Sequence, residues 1–383
     1  MTSLSPAWRR RGLFALGALA LWWLLLFMLP LFFFRFPMTP PLLDFTEYFV
    51  AARIGIEHGF SHIYDATLQQ PLFDAVRPGP VHFGWRTLYA TPPPMAWIVA
   101  PLSFLGLPAA YWAWTAISLG SFLGVAVLVA PGDGLTRAVH ITVALGLYPV
   151  LLSLQLGQVT LVIAAAIGLA WWLAERGRDW QAGLVLVVVI LKPQVGVLVP
   201  ITLGLMGRRR LFGVWAAAAA MVTLAALVSL GPSGIRQYME TLHTLGSQPG
   251  VTSGWSLASW VGFGAPATVL EAVCGLVVLA TAFMARRGPI GLGVVAGVLG
   301  GLLAFGYHNP VDFAPLAMAA WIQFRSSRYG WEPWLLAMGV VASATMPRFG
   351  PRPVFLFLLT WLALLAWSSV TRRPAPAEVS AAV

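Results

Sequence analysis

A run of 23 residues without one charge, 12–34, constrains the fold of this chain more than any other feature. A helix of that length reaches about 35 Å at roughly 1.5 Å per residue, enough to cross the ~30 Å hydrocarbon core of a bilayer. The rest of the chain continues in the same manner. Of its 383 residues, 59% are apolar and only 9% are charged, against roughly 25% charged in soluble domains. So little charge cannot cover a water-facing surface, and the chain belongs in lipid, where backbone amides must be bonded internally. The net charge of +10 would suit a nucleic-acid binder, but the arginines fall in short clusters between apolar runs, as the positive-inside rule requires of cytoplasmic loops. Cys274 is the single cysteine and lies in an apolar run, so there is no disulfide framework and no cysteine metal site. Arg9, Arg10 and Arg11 ahead of the first run imitate a signal peptide. The run is too long for one and Arg35 follows it without a small-residue cleavage site, so a retained helix is expected.

Hydropathy places candidate spans near 12–34, 109–130, 137–155, 159–174, 181–191, 194–206, 211–230, 266–285, 289–306, 310–324, 332–346 and 353–370. The clusters Arg176/Arg178, Arg208–Arg210, Arg286/Arg287, Arg325/Arg328 and Arg372/Arg373 lie between them. For all of these to share the cytoplasmic face, the segment 183–206 must go up and return, turning at Lys192-Pro193. Pro193 lacks an amide hydrogen and disfavours helix just before it. The Pro-rich stretch 92–107 must likewise re-enter rather than cross. The expectation is a single integral membrane domain over 1–383 with about twelve transmembrane helices. Both termini are cytoplasmic, loops 35–91 and 231–265 face outward, and 371–383 forms a disordered cytoplasmic tail.

Five of the thirteen acids fall in the first outer loop: Asp44, Glu47, Glu57, Asp65 and Asp74. On a helix over 44–57, Asp44, Glu47, Tyr48 and Ala51 share one face and Phe45, Phe49, Ala52 and Ile56 another. That pattern suits an amphipathic helix at the membrane interface. Its acids are either solvated and capping, or they do chemistry. Lys192 is the only lysine; at an outward turn it either snorkels or binds a lipid phosphate as a point charge. In the turn Gly306-Tyr307-His308-Asn309-Pro310-Val311-Asp312, His308 has the chemistry to position or deprotonate a sugar hydroxyl, with Asp312 to orient it. Gln158, after Gly157, is a candidate sugar contact at another outward turn. The aromatics of the outer loops, Tyr64, Trp85, Tyr89, Trp255 and Trp260, suit sugar stacking or an interfacial belt. His58, His62 and His82 lack tight metal-ligand spacing, and no phosphate-cradling glycine motif, zincin motif or nucleic-acid surface occurs.

Several short motifs converge in order along the chain: Asp44-Phe45…Tyr48…Ala51-Ala52…Gly59…Ile63-Tyr64-Asp65, then Tyr89-Ala-Thr-Pro92-Pro93, then Leu156-Gly157-Gln158, then Ala182-Gly183…Leu191-Lys192-Pro193. Together they resemble glycosyltransferase family 87 over roughly residues 12–210. The C-terminal half resembles it only in hydropathy and in the His308 turn. The resemblance implies an all-α polytopic bundle of the GT-C type with interfacial helices in the first outer loop. It implies inverting transfer of a sugar, mannose in this family, from a polyprenyl-phosphate donor to a glycan or glycolipid acceptor, on the outer face of a bacterial inner membrane. Asp44 matches the family's acid in the role of general base, Lys192 the lysine contacting the donor phosphate, and His308 a histidine near the acceptor. Catalytic candidates are therefore Asp44 and His308; substrate-binding candidates are Glu47, Tyr48, Arg53, Tyr64, Gln158, Lys192 and Asn309. No cofactor and no metal-ligand residues are expected, the lipid-linked sugar being a co-substrate; metal dependence is not legible, and no nucleic acid partner is expected. The bilayer itself is a partner. The competing readings are a transporter or flippase of lipid-linked substrates, which would bury ionisable residues near the bilayer centre, and another membrane transferase built on His308 or His140. The acceptor, the sugar and the oligomeric state are not legible.

Overall fold

The computed structural model describes residues 6–28, 30, 43–76, 88–246, 255–326 and 330–371. Part of the first outer loop, with His82 and Trp85, lies outside the described residues, as do Arg328 and the tail from Arg372 onward. Every element among the described residues is helical. Four helices are long and apolar enough to cross a bilayer: α5 (Leu107–Val129), α12 (Arg209–Gly246), α14 (Ala265–Met284, prolonged to Arg287) and α18 (Arg352–Thr371). A fifth crossing results if α6 (Gly134–Leu145) and α7 (Tyr148–Leu156), bent by 63°, count as one. A single helix is expected over 137–155, but Leu147 takes an extended conformation and Pro149 begins the new helix, where its missing N–H costs nothing. The molecule is thus an all-α membrane bundle with four or five full-length crossings among the described residues, against the twelve that charge and hydropathy predict.

The segment between the two basic clusters breaks at Lys192, with φ −150° and ψ 76°. The arms are α9 (Asp179–Val185) with the 3-10 turn Leu186–Leu191, then α10 (Pro193–Gly196) and α11 (Leu198–Leu205). They return to their starting point, because Arg208 Nη1 lies 3.3 Å from Asp179 Oδ1. Each arm rises only about 20 Å at ~1.5 Å per residue, short of the ~30 Å core. Such arms need protein around them, and glycines let it come close. A Cβ on Gly297 of α15 (Ile290–Leu303) would lie 2.5 Å from Val199 Cα, one on Gly301 2.7 Å from Val195 O, and one on Gly183 2.5 Å from Leu211 O. In lipid, where burial between apolar phases yields little, such close backbone contact is what holds helices together.

α8 (Thr160–Ala174) runs from the Gln158 turn to the opposite end of the bundle. There Arg325, at the end of α16 (Leu316–Ser326), donates to the Leu128 carbonyl at 2.7 Å and lies over the Trp171 ring at 5.2 Å. Arg137 and Arg176 are within its electrostatic reach. A cation among the last carbonyls of α5 is favoured by the helix dipole. One end of the bundle therefore gathers Arg137, Arg176, Arg208 and Arg325, and the other gathers Asp44, Gln158, Lys192 and Asp312. The short helix α4 (Pro94–Val99) and its 3-10 extension to Leu105 stay at the second end. Thr91 before it accepts from Tyr64, and Tyr111 after it donates to Leu154 beside the Gln158 turn. α12 extends beyond Leu230 but turns sharply at Gly231 (φ 61°, ψ −179°), ahead of Pro232.

Candidate active site

α2 (Leu43–Glu57) carries Asp44 in its first turn, where the unpaired amides of a helix start favour a carboxylate. Its apolar face anchors it. Phe45 is fully buried, with Trp114 at 6.4 Å and Tyr111 edge-on at 5.9 Å. The Phe45 ring also covers Gly157, where a Cβ would lie 2.6 Å from Phe45 Cβ. Gly157 ends α7 with φ +65°, a conformation that L side chains rarely adopt, and its carbonyl accepts from Trp114 Nε1 at 2.7 Å. Space and backbone both restrict this position to glycine, and they aim Gln158 at the polar face of α2.

Gln158 joins the charged groups. Its Nε2 donates to Asp44 Oδ2 at 2.6 Å, and its Oε1 accepts from Tyr48 OH at 2.8 Å and Lys192 Nζ at 3.3 Å. With two donors on one side and a carboxylate on the other, the amide has one satisfying orientation. Lys192 Nζ also pairs with Asp312 Oδ1 at 2.5 Å. Asp312 has no exposed surface, and its Oδ2 accepts from Asn309 N at 2.9 Å. His308 Nδ1 stands 3.7 Å from the same oxygen. Chain segments far apart in sequence thus form one polar line, Asp44–Gln158–Lys192–Asp312, between α2 and the turn before α16.

Asp44 and Glu47 remain partly open to solvent although closely surrounded. Burial holds the Asp44 carboxyl above the usual aspartate range, against the pull of the Gln158 hydrogen bond and the Lys192 charge. Burial, then the neighbouring Asp44 charge, pushes Glu47 well above the usual glutamate range. Asp44 is accordingly a stronger proton acceptor than a solvated aspartate.

The other candidates take varied places. Tyr64 is buried; it stacks on Tyr89 at 5.3 Å and on Tyr238 of the α12 extension at 4.5 Å, and its OH donates to Thr91 O at 2.7 Å. It forms part of a wall behind Tyr48, whose ring meets Tyr89 edge-on at 6.3 Å. Asn309 is half-buried, and its Nδ2 lies 3.3 Å from Tyr307 OH, on the exposed side of the turn. Arg53 is not brought to the site; it pairs with Glu57 on the α2 surface. Nine residues separate it from Asp44, which at about 100° per residue puts it on the opposite side of the helix. His308 is enclosed. It is 1% exposed, and both ring nitrogens are enclosed without a hydrogen-bond partner among the described residues; it meets the site only through Asp312. The residue that sequence reasoning missed is Asp312 as the partner of Lys192. The signal was there: a lone lysine drawn into protein needs a carboxylate, and Asp312 is the acid at another turn that the charge pattern puts on the same side.

Among the described residues no three His, Cys, Asp or Glu side chains cluster to hold a metal. A cavity of about 680 Å³ runs between α6, α16 and the helices Pro6–Trp23 and Glu332–Phe349, beyond Phe313, and is lined by none of Asp44, Gln158 and Lys192. It is a separate apolar feature.

A membrane bundle that joins a basic carboxylate to an ammonium at one end has the parts of a group-transfer enzyme working at the bilayer surface. The profile of glycosyltransferase family 87 matches residues 89–321. The chain belongs to this family, and it is a membrane-embedded glycosyltransferase. The match reaches further into the C-terminal half than the short motifs do, taking in the His308–Asp312 turn with Gln158 and Lys192; α2 precedes it. No curated protein and no solved structure matches the chain.

Proposed function

We propose that the protein moves a sugar, with mannose as the family resemblance implies, from a polyprenyl-phosphate donor to a glycan or glycolipid acceptor, inverting the anomeric carbon. The reaction takes place on the outer face of the membrane. The single observation that carries this reading is the bridge through Gln158, which puts Asp44 and Lys192 on two sides of one amide. An inverting transfer needs those two parts: a base for the acceptor proton and a cation for the departing phosphate. The acceptor oxygen bonds to the anomeric carbon as its proton passes to the Asp44 carboxylate. The bond from that carbon to the phosphate oxygen breaks, and the electron pair leaves with the polyprenyl phosphate. The Lys192 ammonium has three N–H donors; Gln158 takes one and Asp312 pairs with the charge, which leaves a donor to serve the phosphate. Placement at the outer face is supported by the charge pattern, since Arg137, Arg176, Arg208 and Arg325 gather at the opposite end. The transporter alternative has no support from the family.

The test is transfer of label from polyprenyl-phosphate mannose to acceptors in a membrane fraction of the producing cells, comparing wild type with Asp44→Asn. The amide cannot take the proton, so transfer falls roughly 10²–10⁴-fold while expression and thermal unfolding stay at wild-type values. Equal transfer by the two proteins sinks the assignment of the base. Label passing from a different lipid-linked sugar, but not from this one, sinks mannose alone.

A further inference from the structure

Three carboxylates, Asp44, Glu47 and Asp312, lie within the field of one ammonium in this site, that of Lys192, yet only Asp312 touches it, at 2.5 Å. Asp312 is held still. Its second oxygen is bonded to the Asn309 amide at 2.9 Å in a capping box, and the enclosed His308 ring flanks it. Gln158 stands between Lys192 and Asp44 and makes a weak 3.3 Å contact to the ammonium. A buried ammonium deprived of its carboxylate turns to the next one available, because leaving it unpaired costs several kcal/mol. Asp44 is the one that Gln158 already joins to it.

We infer that Asp312 is a positioning residue that draws the Lys192 ammonium away from Asp44, leaving Asp44 free to take a proton and Lys192 free to meet the phosphate. The inference rests on the proposed role of Asp44. The groups that face Asp44 are Glu47 and Tyr48 from α2, Gln158 from the α7–α8 turn, Lys192 from the hairpin tip, and Tyr307 and Asp312 from the turn before α16. His308 stands behind Asp312 and Tyr89 behind Glu47. Lys192 is the one fixed cation of this set, so where it points sets the basicity of Asp44.

The experiment is the pH profile of label transfer from polyprenyl-phosphate mannose for Asp312→Asn, Lys192→Met and the double variant. Asp312→Asn keeps shape and the acceptor for the Asn309 amide, but releases Lys192 onto Asp44. A cation in contact lowers a carboxylate by roughly 1–3 units, so the acid limb moves down by that amount and the plateau rate falls with the weaker base. Lys192→Met moves the limb up, and the double variant keeps its limb above wild type, because the large downward shift of Asp312→Asn needs the ammonium; the direct charge of Asp312 on Asp44 adds only a smaller downward step when it is removed. Asp312→Glu, which restores the charge, brings the limb back toward wild type. A rate loss in Asp312→Asn with an unmoved limb, or a double variant whose limb falls below wild type as that of Asp312→Asn does, overturns the inference. If Asp312→Asn fails to fold because it buries an unpaired lysine, the double variant, which buries none, still decides through that comparison. The Asp44→Asn assay keeps the two readings apart: retained transfer there discredits the base, whereas lost transfer with an unmoved Asp312→Asn limb discredits only this inference.

Discussion

Gln158 donates a hydrogen bond to Asp44, the proposed base, and accepts one from Lys192, so its removal has a signed consequence. The bond to Asp44 stabilises the carboxylate and works against burial. In Gln158→Leu that stabilisation is lost, and Asp44 holds its proton to higher pH. A hydrogen bond to a charged group is worth roughly 1.5–3 kcal/mol, so the acid limb of the transfer profile moves up by about one to two pH units. This is opposite in sign to the shift expected for Asp312→Asn. A Gln158→Leu profile superimposable on wild type would show that the bond is not made in the working enzyme. At this scale the sequence was legible where helical spacing alone decides. Asp44 and Tyr48 are four apart and both reach Gln158; Arg53, nine from Asp44, faces away. Long-range partners were not legible, because nothing in local pattern says that residues 120 apart, Lys192 and Asp312, will meet in a dry interior.

The hairpin of α9 to α11 is the element that lifts Lys192 to the site, and its position is set by backbone contact with α15. Gly301→Val would drive a side chain against the carbonyls of Val195 and Gln194, 2.7 and 3.0 Å from the new Cβ. These are main-chain atoms and cannot rotate aside, so overpacking of roughly 1–3 kcal/mol is expected. Val195 is three residues from Lys192, so the displacement reaches the ammonium. We expect Gly301→Val to lower the unfolding temperature in detergent and to raise the donor KM, while Gly213→Ala, whose Cβ meets nothing within 4 Å, leaves both unchanged. A Gly301→Val protein with wild-type stability and KM would remove close packing from the account. The turn at Lys192-Pro193 was readable from charge bookkeeping and the proline. The bend between α6 and α7 was not, because hydropathy is continuous across Gly146 and Leu147 and a window over 137–155 averages the interruption away.

Among the described residues, the Lys192 site and the group Arg137, Arg176, Arg208 and Arg325 stand at opposite ends of the bundle. Asp179 pairs with Arg208 at the base of the hairpin, with the arginines, while its tip carries Lys192 among the carboxylates. A re-entrant hairpin of this kind makes opposite faces accessible at residues fifteen apart in sequence, which neither a single crossing nor a surface loop does in the same way. In a Cys274→Ala background, where the one native thiol is removed, Gln194→Cys lies at the half-buried tip and Arg209→Cys at the exposed base. An impermeant maleimide added to intact spheroplasts should label the first, and label the second only after permeabilisation. A single crossing over 183–206 would also separate the two faces, so a third position is needed: Arg178→Cys, at the start of the first arm, must behave like Arg209→Cys. Labelling of Arg178→Cys from outside would open the hairpin into a crossing. Labelling of Gln194→Cys only after permeabilisation, with both arginine positions reached from outside, would turn the molecule over and put sugar transfer on the cytoplasmic face.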